Sequence, residues 1–255
     1  MATRLVVHAG FHKTGTTTIQ NTLAAHAGDL KAHLNLHLRP DVAGLCEAAR
    51  AYSVSRSKLD LGLVAYEAAV LAEPWEHDTI LLSSEDLSGH MPGRHGLTDY
   101  AAAAPIAKTM AQAWRAAHPD CVITFVYTTR APEPWLASCY VQHLRATRIQ
   151  LELAEYVETY ASSARFSTVL DAVRGALPSA QVVEVPMESH AANLAAAVLD
   201  PCNLPASVLD RITAAPPANT APNPDKIDQM LALNRSDMSD GDWRAARNKP
   251  HKQAR

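Results

Sequence analysis

The chain has 255 residues, 47% of them hydrophobic, which is enough for one sizeable core with at most a small appendage. Its formal charge of -3 leaves no large basic field, which argues against nucleic acid as the main partner. No run of ~18 apolar residues occurs, so no membrane span is expected, and the apolar run after Arg4 is too short for a signal sequence.

Leu5 to Ala9 reads as a first strand, buried on both faces. It runs into Gly10-Phe11-His12-Lys13-Thr14-Gly15-Thr16-Thr17, which opens a helix reaching about Ala27. Lys31 to Pro40 gives a mixed signal. Asp41 to Ala51 and Lys58 to Glu73 read as helices, the second with Leu59, Leu63, Tyr66, Val70 and Leu71 on one face. Thr79 to Ser83 is a second strand, ending in Ser84-Glu85-Asp86. Gly89, Pro92, Gly93 and Gly96 mark a loop. A helix over Ala101 to His118 leads to a third strand, Cys121 to Tyr127, with Arg130 beyond its carboxyl end. Helices follow at Pro134 to Arg145 and, as one or two pieces, at Leu151 to Arg174. Gln181 to Val185 is a fourth strand, followed by helices at His190 to Leu199 and Pro224 to Leu233.

Strands alternating with helices predict an α/β fold, a mostly parallel sheet with helices on both faces. Residues 1–235 are expected to form one domain, and 236–255 a polar, flexible tail. In such sheets ligands sit beyond the carboxyl ends of the strands. Three polar clusters fall there: the Gly10 loop, Ser83 to Asp86, and Thr128 to Ser138.

A glycine-bracketed loop between a buried strand and a helix is the layout of an anion cradle, lined by backbone N–H groups and the positive helix end. In the nucleotide-hydrolase version, G-x-x-x-x-G-K-[ST], lysine follows the second glycine. Here Gly10 and Gly15 keep that spacing, Thr16 takes the lysine's place, and Lys13 sits inside the loop. Arg130 and Ser138, eight residues apart across Pro132 and Pro134, offer a guanidinium fork and a hydroxyl to a second phosphate.

His8 to Gln20 resembles the 5′-phosphosulfate loop of sulfotransferases, particularly bacterial members. Arg130 to Tyr140 resembles the 3′-phosphate segment of the same family, in the same order and about a hundred residues later. The resemblance implies a P-loop NTPase-like sulfotransferase fold and 3′-phosphoadenosine 5′-phosphosulfate (PAPS) as donor, with no metal required. Lys13, Thr14, Gly15, Thr16 and Thr17 would then bind the 5′ side, and Arg130 and Ser138 the 3′-phosphate. Lys13 would also stabilise charge on the leaving phosphate. Many members carry Asp where Ala131 stands, and no Arg-Lys-Gly loop completes the 3′-phosphate site. By charge and late position, Arg244, Arg247 and Lys249 are candidates for that third ligand.

Two residues compete as general base, Glu85 at the second strand's end and His12 in the loop. His8 reads as a packed, satisfied histidine, and Trp135 and Tyr140 as helix packing. His33 and His37 read as a solvated or acceptor-lining face rather than a metal pair. The acceptor is a hydroxyl or amine on a small molecule, a carbohydrate or a lipid head group. Arg39, Arg56, His90, Arg94 and His95 point to a polar or anionic one. The alternatives are a P-loop kinase or NTPase with a rearranged lysine, using Glu85 or Asp86 near a metal, and a non-catalytic nucleotide-binding protein. The four cysteines (Cys46, Cys121, Cys139, Cys202) stand at no zinc or redox spacing and fit a reducing cytoplasm.

Overall fold

The computed structural model describes residues 3–73, 76–216 and 223–248. Five parallel strands form one sheet in the order β2-β3-β1-β4-β5: β1 (Arg4–His8), β2 (Asn35–Leu38), β3 (Thr79–Ser83), β4 (Val122–Thr129) and β5 (Gln181–Pro186). β1 is central. Leu5 stands opposite Ile80 on one side and Ile123 on the other, and His8 opposite Ser83 and Val126.

Side chains alternate between two cores, as the strand period of two requires. Leu5 and Val7 of β1, Ile80 and Leu82 of β3, and Ile123, Phe125 and Tyr127 of β4 face one core. Val6, Leu81 and Val126 face the other. Helices α1 (Thr16–Ala25), α2 (Ala27–Leu30), α9 (Leu194–Leu199) and α10 (Ala206–Leu209) cover the second core. The first is covered by α3 (Ala43–Ser55), α4 (Lys58–Val70), α5 (Ala103–Ala117), α6 (Pro132–Ala146), α7 (Leu153–Tyr160), α8 (Phe166–Ala176) and α11 (Pro224–Arg235). The fold is therefore α/β and wound on both faces. None of the helices among the described residues is long and apolar enough to cross a membrane.

Three details differ from the sequence reading. β2 is a strand inside the segment with the mixed signal. It is a four-residue edge strand in which only Leu36 is buried, so no apolar run announces it. On α4, the face carrying Leu59, Leu63, Tyr66 and Val70 is exposed, while Val64 and Ala68 are buried. The helix packs against α3 and α5 through its small residues and turns the bulky ones outward. Finally, the segment expected to be a loose tail holds helix α12 (Asp240–Asn248). Trp243 is buried and donates from Nε1 to Asn234 Oδ1 at 2.8 Å, and Arg148 pairs with Asp240 at 2.9 Å. Residues 249–255 lie outside the described residues.

Candidate active site

The site lies at the carboxyl ends of β1, β3 and β4. Two glycines are required there. A Cβ on Gly10 would come within 2.2 Å of Thr128 Oγ1 and 2.7 Å of His8 Nε2. Gly15 has φ +89°, and a Cβ on it would meet Leu194 Cδ2 at 2.6 Å. Lys13 also takes a left-handed conformation, φ 66°, which turns the loop between the glycines. Gly15 is the N-cap of α1, with no side-chain cap and no acidic residue in the first turn. The first amides of α1 are thus left open to an anion.

Thr14 lies outside the cavity. It is fully buried, and its hydroxyl donates to the Phe11 carbonyl at 2.5 Å and lies 2.6 Å from Thr128 Oγ1. It braces the loop against β4. His8 is buried as expected, with Nδ1 2.8 Å from Ser83 Oγ, but its Nε2 has no partner. Burial lowers its pKa to about 4, with a smaller opposing pull from Glu85, so it is neutral at pH 7.

A cavity of about 500 Å³ brings together His12, Lys13, Gly15, Thr16, Thr17, Glu85, Arg130 and Ser138. Sequence elements far apart supply the rest of its wall: Arg39 beyond β2, Arg50 on α3, Asp86, and Arg94 in the 89–97 loop. Burial lowers the pKa of Lys13; Cys139 opposes it, Arg145 and Arg130 push it further down, and Glu85 opposes least. Arg130 donates to the Lys13 carbonyl at 3.4 Å, tying the end of β4 to the loop.

The acidic turn after β3 is both a cap and part of the site. Ser84 caps the 3₁₀ turn Glu85–Ser88, its N–H bonds the His8 carbonyl at 3.1 Å, and Ser88 bonds the Ala9 carbonyl. Asp86 is buried and taken on both oxygens. Oδ2 accepts from Arg39 at 2.7 Å and Arg50 at 2.9 Å, and Oδ1 lies 3.4 Å from His12 Nε2. Burial alone would raise its pKa, but the hydrogen bond and charge of His12, then Arg39 and Arg50, win and hold it at about 2. Glu85 accepts from Gln20 at 2.7 Å on Oε2; its other oxygen has no hydrogen bond among the described residues.

His12 is engaged at both nitrogens. The Tyr100 hydroxyl accepts from the His12 backbone N–H at 3.2 Å and lies 3.2 Å from Nδ1. Burial keeps Tyr100 protonated, so its hydroxyl serves Nδ1 as donor or acceptor, while Nε2 carries the hydrogen that faces Asp86. Trp135 is packing as expected: it is buried against Phe166 and donates to the His12 carbonyl at 2.8 Å. Tyr140 is buried too, its hydroxyl donating to the Leu151 carbonyl at 3.0 Å.

A second cavity, about 450 Å³, shares Lys13, Arg130 and Ser138 with the first and runs between α6 and α11. Its walls are mainly apolar, with Pro134, Val141, Leu153, Ile227 and Leu231. Arg145 lines it as well, two helical turns after Ser138 and so on the same face of α6. Arg244 and Arg247 line neither cavity. Arg247 donates to the Ala146 carbonyl at 3.1 Å and stacks on Trp243. Lys249 lies outside the described residues. At position 131, where the resembled family often has an acid, the Ala131 N–H is capped instead by Glu188 at 2.9 Å.

Sheet and loop define a doubly wound α/β protein with a glycine loop opening a helix at the end of its central strand. Compared with solved structures, the chain is similar to the crystal structure of a sulfotransferase from Alicyclobacillus acidocaldarius, at 15% identity and a TM-score of 0.45 over 96% of this chain and 99% of that one. No protein-family model matches the chain, and no curated protein does. A likeness at that level carries no weight for activity, so the functional reading rests on the site.

Proposed function

We propose that the chain is a sulfotransferase, moving a sulfuryl group from PAPS to a hydroxyl or amine of a small acceptor. One observation carries the reading: the polar cavity and the apolar groove meet at Lys13, Arg130 and Ser138. A donor with a reactive group on its 5′ side, a phosphate at 3′ and an apolar base matches that run of surfaces.

The amides of Gly15 to Thr17 and the α1 terminus would hold the 5′-phosphate, joined by the Thr16 and Thr17 hydroxyls. Arg130 and Ser138 would hold the 3′-phosphate, with Arg145 as the third ligand that sequence alone did not identify. The groove walls would enclose the adenine. Glu85 takes the proton as the acceptor's oxygen or nitrogen bonds to sulfur. The bond from sulfur to the bridging oxygen breaks, and its electron pair stays on the 5′-phosphate. Lys13, partly desolvated, stabilises that charge. The products are the sulfated acceptor and adenosine 3′,5′-bisphosphate. Glu85 is favoured over His12 because Glu85 keeps an oxygen for the proton, whereas both His12 nitrogens are occupied.

The kinase reading places Asp86 or Glu85 near a metal; Asp86 is already bonded to Arg39, Arg50 and His12, which leaves that task to Glu85. Four free, buried cysteines fit work in a reducing compartment such as the cytoplasm. The test is calorimetry with adenosine 3′,5′-bisphosphate against ATP, each with and without Mg²⁺. Metal-independent preference for the bisphosphate is expected. Mg²⁺-dependent preference for ATP would overturn the reading. Failure of any acceptor to release the bisphosphate from PAPS would leave a binding protein without catalysis.

A further inference from the structure

The acceptor end of the cavity is more cationic than a neutral alcohol needs. Arg39, Arg50 and Arg94 all line it, and the carboxylate bonded to two of them is Asp86 alone. Arg39 spends Nε on Asp86 and Arg50 spends Nη1, leaving each with further N–H donors of the five a guanidinium carries. Arg94 makes no ion pair among the described residues, and its Nε is buried without a hydrogen-bond partner. A buried, unpaired donor on a cation is costly unless a ligand satisfies it.

The backbone that carries Arg94 is held in place. Gly93 N–H bonds the Leu97 carbonyl at 2.7 Å and Leu97 N–H bonds the Arg94 carbonyl at 2.9 Å, closing a tight turn. Gly93 has φ +91° and rests so close to His143 that a Cβ would lie 2.3 Å from its Cε1. His143 is itself buried, with Nδ1 2.8 Å from the Tyr156 hydroxyl. The turn therefore stands on a packed platform, which fixes the backbone from which Arg94 reaches the cavity.

We infer that the acceptor carries its own anionic group, a carboxylate or phosphate, gripped by Arg94 with the spare donors of Arg50 and Arg39 while Glu85 faces its hydroxyl or amine. This rests on the sulfotransferase reading and narrows its acceptor to hydroxylated or aminated small anions. Asp86 fits the scheme as the group that fixes two of the arginines without neutralising all three. His90, also on the cavity wall, adds a neutral imidazole. Its pKa is lowered to about 4 by burial first and then by His95 and Arg50.

The test uses inorganic phosphate and malonate as probes, titrated by calorimetry at fixed ionic strength into the full chain saturated with adenosine 3′,5′-bisphosphate. At least one probe should bind saturably, and Arg94→Gln should weaken it by about tenfold. Affinity for adenosine 3′,5′-bisphosphate should be unchanged. Absence of saturable binding to the wild type, or equal binding by Arg94→Gln, overturns the inference. Should Arg94→Gln fail to fold by thermal melting, Arg94→Lys is read instead. It keeps the charge and loses the planar fork, and undiminished binding by it overturns the inference too. If adenosine 3′,5′-bisphosphate itself does not bind, the donor reading is what fails. The anion subsite is then decided by the same titrations on unloaded wild type and Arg94→Gln.

Discussion

Replacing Asp86 by Asn tests the electrostatic frame of the site through stability. The buried carboxyl titrates at about 2 instead of 3.8, because His12, Arg39 and Arg50 outweigh the burial that opposes its charge. At ~1.36 kcal/mol per unit, that difference is worth about 2.5 kcal/mol to the folded state at pH 7. Arg39 stands half in water, so screening trims the figure, and Asp86→Asn is expected to cost about 2 kcal/mol. The folded carboxyl holds its proton less tightly than the unfolded one. Its contribution is therefore whole above about pH 4, roughly halved at pH 3, and gone as pH falls through 2. Urea unfolding of both proteins between pH 7 and 3 measures this. A gap that stays flat across that range, or one under about 0.5 kcal/mol at pH 7, refutes the assignment of three partners to one carboxylate.

Glu85→Gln should lower kcat by about 10²–10⁴-fold and leave adenosine 3′,5′-bisphosphate affinity intact; a matching loss from His12→Gln with Glu85→Gln silent would exchange their roles. Arg145→Ala should weaken adenosine 3′,5′-bisphosphate by about tenfold and AMP much less, as read by calorimetry; equal losses would remove Arg145 from the 3′-phosphate. Gly15→Ala should cost about 1–2 kcal/mol in urea unfolding from its positive φ, and should weaken the bisphosphate by displacing the first α1 amides; wild-type stability would mean the loop relaxes freely around Leu194.

Much of the fold could be read in advance because a buried parallel strand is an apolar run. β1, β3 and β4 each announce themselves that way, and the polar residues just past them mark the site; β5, at the other edge, is read from Val182, Val183 and Val185. β2 does not, since an edge strand buries little. On α4 the spacing of Leu59, Leu63, Tyr66 and Val70 marks a face, but periodicity does not say which neighbour covers it. That Lys13, Arg130 and Ser138 come to one cavity, the half proposed for the donor, was legible from local spacing. The acceptor half was not, because Arg50 and Asp86 meet through tertiary packing and Arg145 looks like any surface arginine on a helix. The ordering of Glu85 and His12 hangs on Tyr100, whose hydroxyl reaches the loop from the start of α5. No local pattern carries that information.

The central position of β1 has a consequence for how the protein is made. Leu5 must wait for Ile80 and then Ile123 before both its edges are paired. At about 5–20 residues per second, on the order of ten seconds separates the synthesis of β1 from that of β4. For that interval a strand meant to be buried on both faces, and the glycine loop that follows it, have no scaffold. Long-range parallel pairing of this kind is slow even after the chain is complete. The glycine loop is thus translated well before the strands that scaffold it, which makes the nascent segment from β1 to β4 a natural client for chaperones.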